Sequence, residues 1–149
     1  MQSIDLTQRP PRSPRVRLGG FVILPRILDK CRASLAGTNG EYNYNCPIDR
    51  RFFDFAGIDA EAMKVKVAEG LGDGQILAWV QENAANKPSD WDIAHWSSFR
   101  EAAAPADNES REFANEMMSG AGVGEEREDI ATWFDILDVD DHATFGGKA

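Results

Sequence analysis

Nine consecutive residues, Glu41-Tyr-Asn-Tyr-Asn-Cys-Pro-Ile-Asp49, gather two tyrosines, two asparagines, a thiol and two carboxylates. Turn-forming residues run from Gly40 to Pro47, which makes the stretch a loop, and loops held on rigid scaffolds often carry function. Cys46 stands just ahead of Pro47 and an expected helix start, where the partial positive charge of a helix N-terminus favours a thiolate. Arg50 and Arg51 follow one turn later. Guanidinium forks suit carboxylate or phosphate ligands. Tyr42, Tyr44, Cys46 and Asp49, with Arg26 and Arg50, are therefore the candidate ligand-binding set. The competing reading is that these side chains hydrogen-bond to nearby backbone and pin an irregular loop, and the residue types favour it.

No other constellation points to catalysis. A cysteine nucleophile needs a histidine base, and the two histidines, His95 and His142, stand in no spacing that ties them to Cys46. Neither a GxSxG nor an SxxK motif is present. Asp138, Asp140, Asp141 and His142 supply oxygen and nitrogen ligands in five residues. A calcium loop counted from Asp138 would place Ala143 at its glycine position and Ala149 at its bidentate glutamate, so that pattern fails. Gly70-Leu-Gly-Asp-Gly74 and Gly120-Ala-Gly-Val-Gly124 have no lysine-serine ending and follow no strand, which makes them helix punctuation rather than phosphate loops. No catalytic residue, metal or cofactor is expected.

The elements that must position the loop read as helices. Pro25 suits a first turn; Leu24, Ile27, Leu28, Cys31 and Leu35 recur at helical spacing up to Gly37. Ile48, Phe52 and Phe55 form the apolar stripe of a short helix closed by Gly57. Asp59 caps the next, with Met63 and Val67 inward, and Gly70 ends it. Asp73 is expected to cap a helix carrying Ile76, Leu77 and Val80. Ser89 with Asp92 resembles a capping box ahead of Ile93, Trp96 and Phe99. Asp107 caps a helix with Phe113, Met117 and Met118. Ile130, Trp133, Phe134 and Leu137 mark a last one. Short connections make sequential helices pack together. The expected fold is all-α, an irregular bundle of six or seven short helices, with a short extended piece allowed at 17–24 or 140–145.

Residues 1–20 read as an extended basic arm, and 21–149 as a single helical domain. Prolines 10, 11 and 14 disfavour helix, and Arg9, Arg12, Arg15 and Arg17 are interleaved with them. At 149 residues the chain can bury a substantial core without a metal or disulfide framework, and its two cysteines are expected to be reduced. No apolar run approaches a membrane span and no secretory leader is visible, so the expected setting is cytoplasmic. A formal net charge of −9 argues against nucleic acid and anionic membrane as partners. The charge is uneven, basic in the arm and acidic over 125–141, so the two ends can pair with each other.

Five stretches together, Arg9-Pro-Pro-Arg-Ser-Pro-Arg15, Leu24-Pro-Arg-Ile-Leu-Asp-Lys30, Gly40-Glu-Tyr-Asn-Tyr-Asn-Cys-Pro47, Gly72-Asp-Gly-Gln-Ile-Leu-Ala-Trp79 and Asp129-Ile-Ala-Thr-Trp-Phe-Asp-Ile-Leu-Asp138, resemble the bacterial domain-of-unknown-function family DUF5069. The resemblance covers nearly the whole chain, including its Phe145-Gly-Gly-Lys-Ala149 end. It implies a small stand-alone bacterial domain and brings no activity, cofactor or catalytic residue with it.

Two functions remain. One is a non-catalytic binding or interaction domain, whose arm and exposed tryptophans would contact a second copy or another protein. The other is a small-molecule-binding protein or enzyme with its site at the Tyr42–Asp49 loop, which requires a concave pocket where its polar groups converge.

Overall fold

The computed structural model describes residues 3–124 and 127–148; Glu125 and Glu126 of the acidic stretch, and Ala149, lie outside the described residues. The fold is all-α. A hairpin of β1 (Arg17–Leu18) and β2 (Phe21–Val22) precedes α1 (Leu24–Ala36), α2 (Pro47–Ala56), α3 (Ala60–Val67), α4 (Asp73–Asn83), α5 (Asp90–Ala102), α6 (Asn108–Gly120) and α7 (Trp133–Thr144). No helix among the described residues is long and apolar enough to cross a membrane.

The hairpin is antiparallel, pairing Arg17 with Val22 and Leu18 with Phe21. Its two-residue turn needs positive φ at both centres, which Gly19 (58°) and Gly20 (83°) supply. A Cβ at Gly19 would also fall 2.5 Å from Leu77 Cδ1. Ile23 then turns the chain into α1 at φ 72°, a left-handed conformation that costs a β-branched residue about 1–2 kcal/mol. Its side chain is fully buried, and its N–H donates to the Pro14 carbonyl at 2.9 Å. Packing and the proline arm hold the turn in place.

α1 is the centre of the molecule. Every residue from Leu24 to Ala33 is buried, including Arg26, Asp29, Lys30 and Arg32. Its apolar side joins one core with Phe21, Phe52, Phe53, Met63, Ile76, Val80, Ile93 and Phe134. Phe21 meets the edge of Phe52 at 5.2 Å, and Phe55 stacks flat on Trp96 at 4.8 Å, joining α2 to α5. A smaller core of Ala114, Met118, Val123 and Ile136 joins α6 to α7.

The caps explain the helix limits. Gly37 and Gly57 close α1 and α2 in the left-handed conformation. Asp59, Ser89 and Asp107 accept from the backbone at the starts of α3, α5 and α6, and Ser89 with Asp92 forms the expected capping box. Two starts differ from expectation. Asp73 is the first helical residue of α4 rather than its cap; Gly72 is the cap, and its N–H donates to Gln75 Oε1 at 3.0 Å. α7 begins at Trp133 rather than Ile130, because Thr132 and Asp135 close a capping box there. Phe99 and Phe113, expected inward, are 64% and 56% exposed.

The basic arm lies on the helices. Leu6 is buried and its N–H donates to the Thr38 carbonyl at 2.9 Å. Pro11 and Pro14 are buried. Ser13 donates to Asp138 at 2.7 Å, and Arg15 pairs with Asp135 and Asp138 of α7. Arg17 pairs with Glu101 of α5.

Candidate functional site

The Tyr42–Asp49 loop faces the polar side of α1. Its turn is fixed by Asn39, whose side chain donates to the Tyr42 carbonyl, and by Asn45 at φ 61°, a conformation asparagine tolerates. The Asn45 N–H donates to Asp49 Oδ2 at 3.0 Å. Cys46 occupies the N-cap position of α2.

Four of the six candidate residues, Arg26, Tyr42, Cys46 and Asp49, come together, and Lys30 and Asp141 satisfy them. Asp49 is fully buried and accepts from Lys30 Nζ at 2.8 Å. The same ammonium donates to Cys46 Sγ at 3.3 Å. Arg26 forks onto Asp141 of α7 at 2.7 and 3.2 Å and lies over the Tyr42 ring. The Tyr42 hydroxyl donates to Asp141 Oδ1 at 2.9 Å. The Tyr44 hydroxyl turns away, donating to the Ala60 carbonyl at 2.6 Å. Arg50 is exposed and joins none of these contacts.

The other side of α1 carries a matching cluster. Asp29 accepts from the Arg12 backbone and guanidinium at 2.9–3.0 Å. Arg12 also reaches Asp73 of α4 at 2.8 Å, and Arg32 reaches it at 2.7 Å. Four cations (Arg12, Arg26, Lys30, Arg32) thus face four carboxylates (Asp29, Asp49, Asp73, Asp141). Four of the pairs tie the arm, α2, α4 and α7 to α1, and the fifth, Arg12 with Asp73, ties the arm to α4.

The electrostatics leave little for a ligand. Burial, reinforced by Asp141, pushes the Tyr42 phenol up, and burial does the same to Tyr44, so both stay neutral. Burial pulls Arg26 down, but Asp141 outweighs it and holds the guanidinium above its usual value. Burial pushes the Cys31 thiol up to about 11, so it packs as a small hydrophobe. Both cysteines are free. Clefts of about 130 and 540 Å³ lie elsewhere, the first beside Val80, Pro88 and Ile93 and the second beside Arg111, Met118 and Ile130. No group of three or more metal-ligating side chains occurs among the described residues.

Asp73 makes the network sensitive to acid. Burial pushes its carboxyl up, but the hydrogen bonds from Arg12 and Arg32 outweigh that and hold it below the usual 3.8. A carboxylate depressed on folding stabilises the fold above its unfolded pKa and loses that contribution as pH falls through the folded value. Urea midpoints are therefore expected to hold between pH 7 and 5 and to fall below about pH 4, more steeply in wild type than in Asp73→Asn.

A second feature lies on α5. Trp91 is 71% and Phe99 64% exposed, and His95 stands between them at helical i, i+4 spacing with its ring 4.1 Å from Trp91. The Phe55–Trp96 stack places Arg51, one turn before Phe55, near Arg100, one turn after Trp96. Arg100 lies over the Phe99 ring at 4.7 Å. Burial, and then Arg51, holds its guanidinium below its usual value. Its Nε is the one buried side-chain polar atom without a hydrogen-bond partner among the described residues.

A family model described as a domain of unknown function, DUF5069, matches residues 8–143. The chain belongs to this family. No curated protein matches the sequence. The DUF5069 span runs from the arm into α7, so it takes in all eight charged members of the network around α1, from Arg12 to Asp141. It also contains the α5 face with Trp91, Phe99 and Arg100.

The network's members were only partly visible as sequence. Arg26 and Asp49 stand among the candidates; Arg12, Asp29, Lys30, Arg32, Asp73 and Asp141 do not. The available signal was the charge in α1, four ionic residues within seven positions of a helix rich in large aliphatics. That pattern reads equally well as a solvated face.

Proposed function

We propose that this protein is a non-catalytic interaction domain of the bacterial cytoplasm. Its partner is a protein segment that combines apolar side chains with a carboxylate, and its docking face is α5. The observation that carries this reading is the Trp91–His95–Phe99 stripe, flanked by Arg51 and Arg100, which have no acidic partner among the described residues. Exposed tryptophan and arginine side by side are typical anchors of protein interfaces. In a chain of net charge −9, two adjacent arginines with no counter-ion among the described residues complement an acidic group on a partner.

The small-molecule alternative is less well supported. Its groups already have partners in Lys30, Asp141 and the Ala60 carbonyl, and the clefts beside Val80 and Met118 lie away from them. Arm-mediated contact is also weakened, since Arg12, Arg15 and Arg17 all pair within the chain.

Peptide-display selection on the full chain tests the proposal. Enriched sequences are expected to carry Asp or Glu beside aromatic or aliphatic residues. Trp91→Ser is expected to weaken them about 30-fold, as for an anchor worth about 2 kcal/mol, without changing the thermal midpoint. Selected ligands that bind wild type and a Trp91→Ser/Phe99→Ser variant equally would overturn it.

A further inference from the structure

Cys46 does not stand alone. Its sulfur lies 3.3 Å from an amine that is itself almost wholly buried, with Lys30 only 4% exposed at the side chain. Asp49, 2.8 Å from that amine and fully buried, is placed to accept its proton. Cys46 is half-buried, open to a small oxidant at the start of α2. We propose that Cys46 and Lys30 form a peroxide-driven sulfur–nitrogen crosslink between α2 and α1.

The chemistry balances in two steps. The Cys46 thiolate attacks hydrogen peroxide; a sulfur–oxygen bond forms, the oxygen–oxygen bond breaks, and the second oxygen leaves as water after protonation. Sulfur is oxidised by two electrons to a sulfenic acid as the peroxide is reduced, and such acids condense with nearby nitrogen. Lys30 then passes a proton to Asp49, and its nitrogen lone pair attacks the sulfur. The sulfur–nitrogen bond forms, the sulfur–oxygen bond breaks, and hydroxide departs as a second water, taking a proton from the amine nitrogen. The sum is thiol, amine and one peroxide to sulfenamide and two waters, a net loss of two hydrogens from the protein.

The bond also removes a buried positive charge. Asp49 keeps the proton taken from Lys30 and the Asn45 N–H, and loses the cation that anchored it. Crosslinking therefore loosens the Tyr42–Cys46 loop as it forms, and thiol reductants restore the ion pair. The site is a reversible peroxide-responsive modification, independent of the α5 face.

Intact-mass spectrometry on the full chain carrying Cys31→Ala tests this. That background excludes the disulfide with Cys31, which would give the same mass. Hydrogen peroxide is expected to produce a species about 2 Da lighter, reversed by dithiothreitol. A peptide map should join Lys30 to Cys46, with the Lys30 site resistant to trypsin. Adding Cys46→Ser should abolish the change, and Lys30→Arg should stop the reaction at a dimedone-reactive sulfenic acid. A product that gains two oxygens while Lys30 stays cleavable, or a Cys46 thiol unchanged by peroxide, overturns the proposal.

Discussion

Asp141→Ala is expected to destabilise the protein by about 3–5 kcal/mol, the usual result of leaving a buried charge without its partner. Arg26 is 4% exposed at the side chain, and Asp141 is its carboxylate. The Tyr42 hydroxyl loses its acceptor at the same time. The contact that draws α7 onto α1 is thereby removed, although Phe134 still reaches the main core. Urea unfolding followed by far-ultraviolet dichroism measures the loss as a lower midpoint at unchanged slope. A shift below about 0.5 kcal/mol, ordinary for an exposed aspartate, would show that Arg26 and Tyr42 are not held as described.

Removing residues 1–13 is the second large effect. It exposes the site of Leu6, which is 1% exposed, and strips Asp29 of its Arg12 partners. Burying a leucine contributes roughly 1.5–3 kcal/mol, and Asp29, 4% exposed at the side chain, would become an unpaired buried carboxylate. The expected loss is on the order of 5 kcal/mol, a large share of a domain's usual stability of about 5–15 kcal/mol. Asp29→Asn in the full-length chain separates the two causes, since it keeps Leu6 and neutralises the carboxylate. An unchanged thermal midpoint on truncation would mean that the arm rests on the helices without supporting them.

Helices were legible because their signals are local. Gly37 and Gly57 end helices through a left-handed cap, and Ser89 with Asp92 starts one through two short hydrogen bonds, so a few adjacent residues specify each. Asp73 misled for a tertiary reason. Its type suits an N-cap, but its carboxylate is drawn to Arg12 and Arg32, and the cap falls to Gly72. Phe99 misled because helical spacing places it beside the inward stripe of Ile93 and Trp96, yet it stays 64% exposed, with the Arg100 guanidinium over its ring.

The candidate site was half-legible for the same reason. The Tyr42–Asp49 stretch stood out by composition, and the structure brings its Tyr42, Cys46 and Asp49 together with Arg26. What composition could not supply was the partners. Lys30, Arg32 and Asp29 sit on the polar side of an amphipathic helix, a side that usually meets water. Here the arm, α2, α4 and α7 cover it, each bringing a side chain of opposite charge. Such pairs are best regarded as fixing which element docks where, because buried ion pairs contribute little net stability yet are costly to break.

If these charges hold the fold together rather than await a ligand, Lys30 and Asp49 must be coupled. A double-mutant cycle on Lys30 and Asp49 tests it most directly, using Lys30→Met, Asp49→Asn and the pair in the full chain. Each single change is expected to cost about 3–5 kcal/mol, and the double change to cost less than their sum by about 2–3 kcal/mol, since both buried charges are then gone. Single changes that leave stability intact, with no coupling between them, would contradict the account and return the loop to candidacy as a binding site.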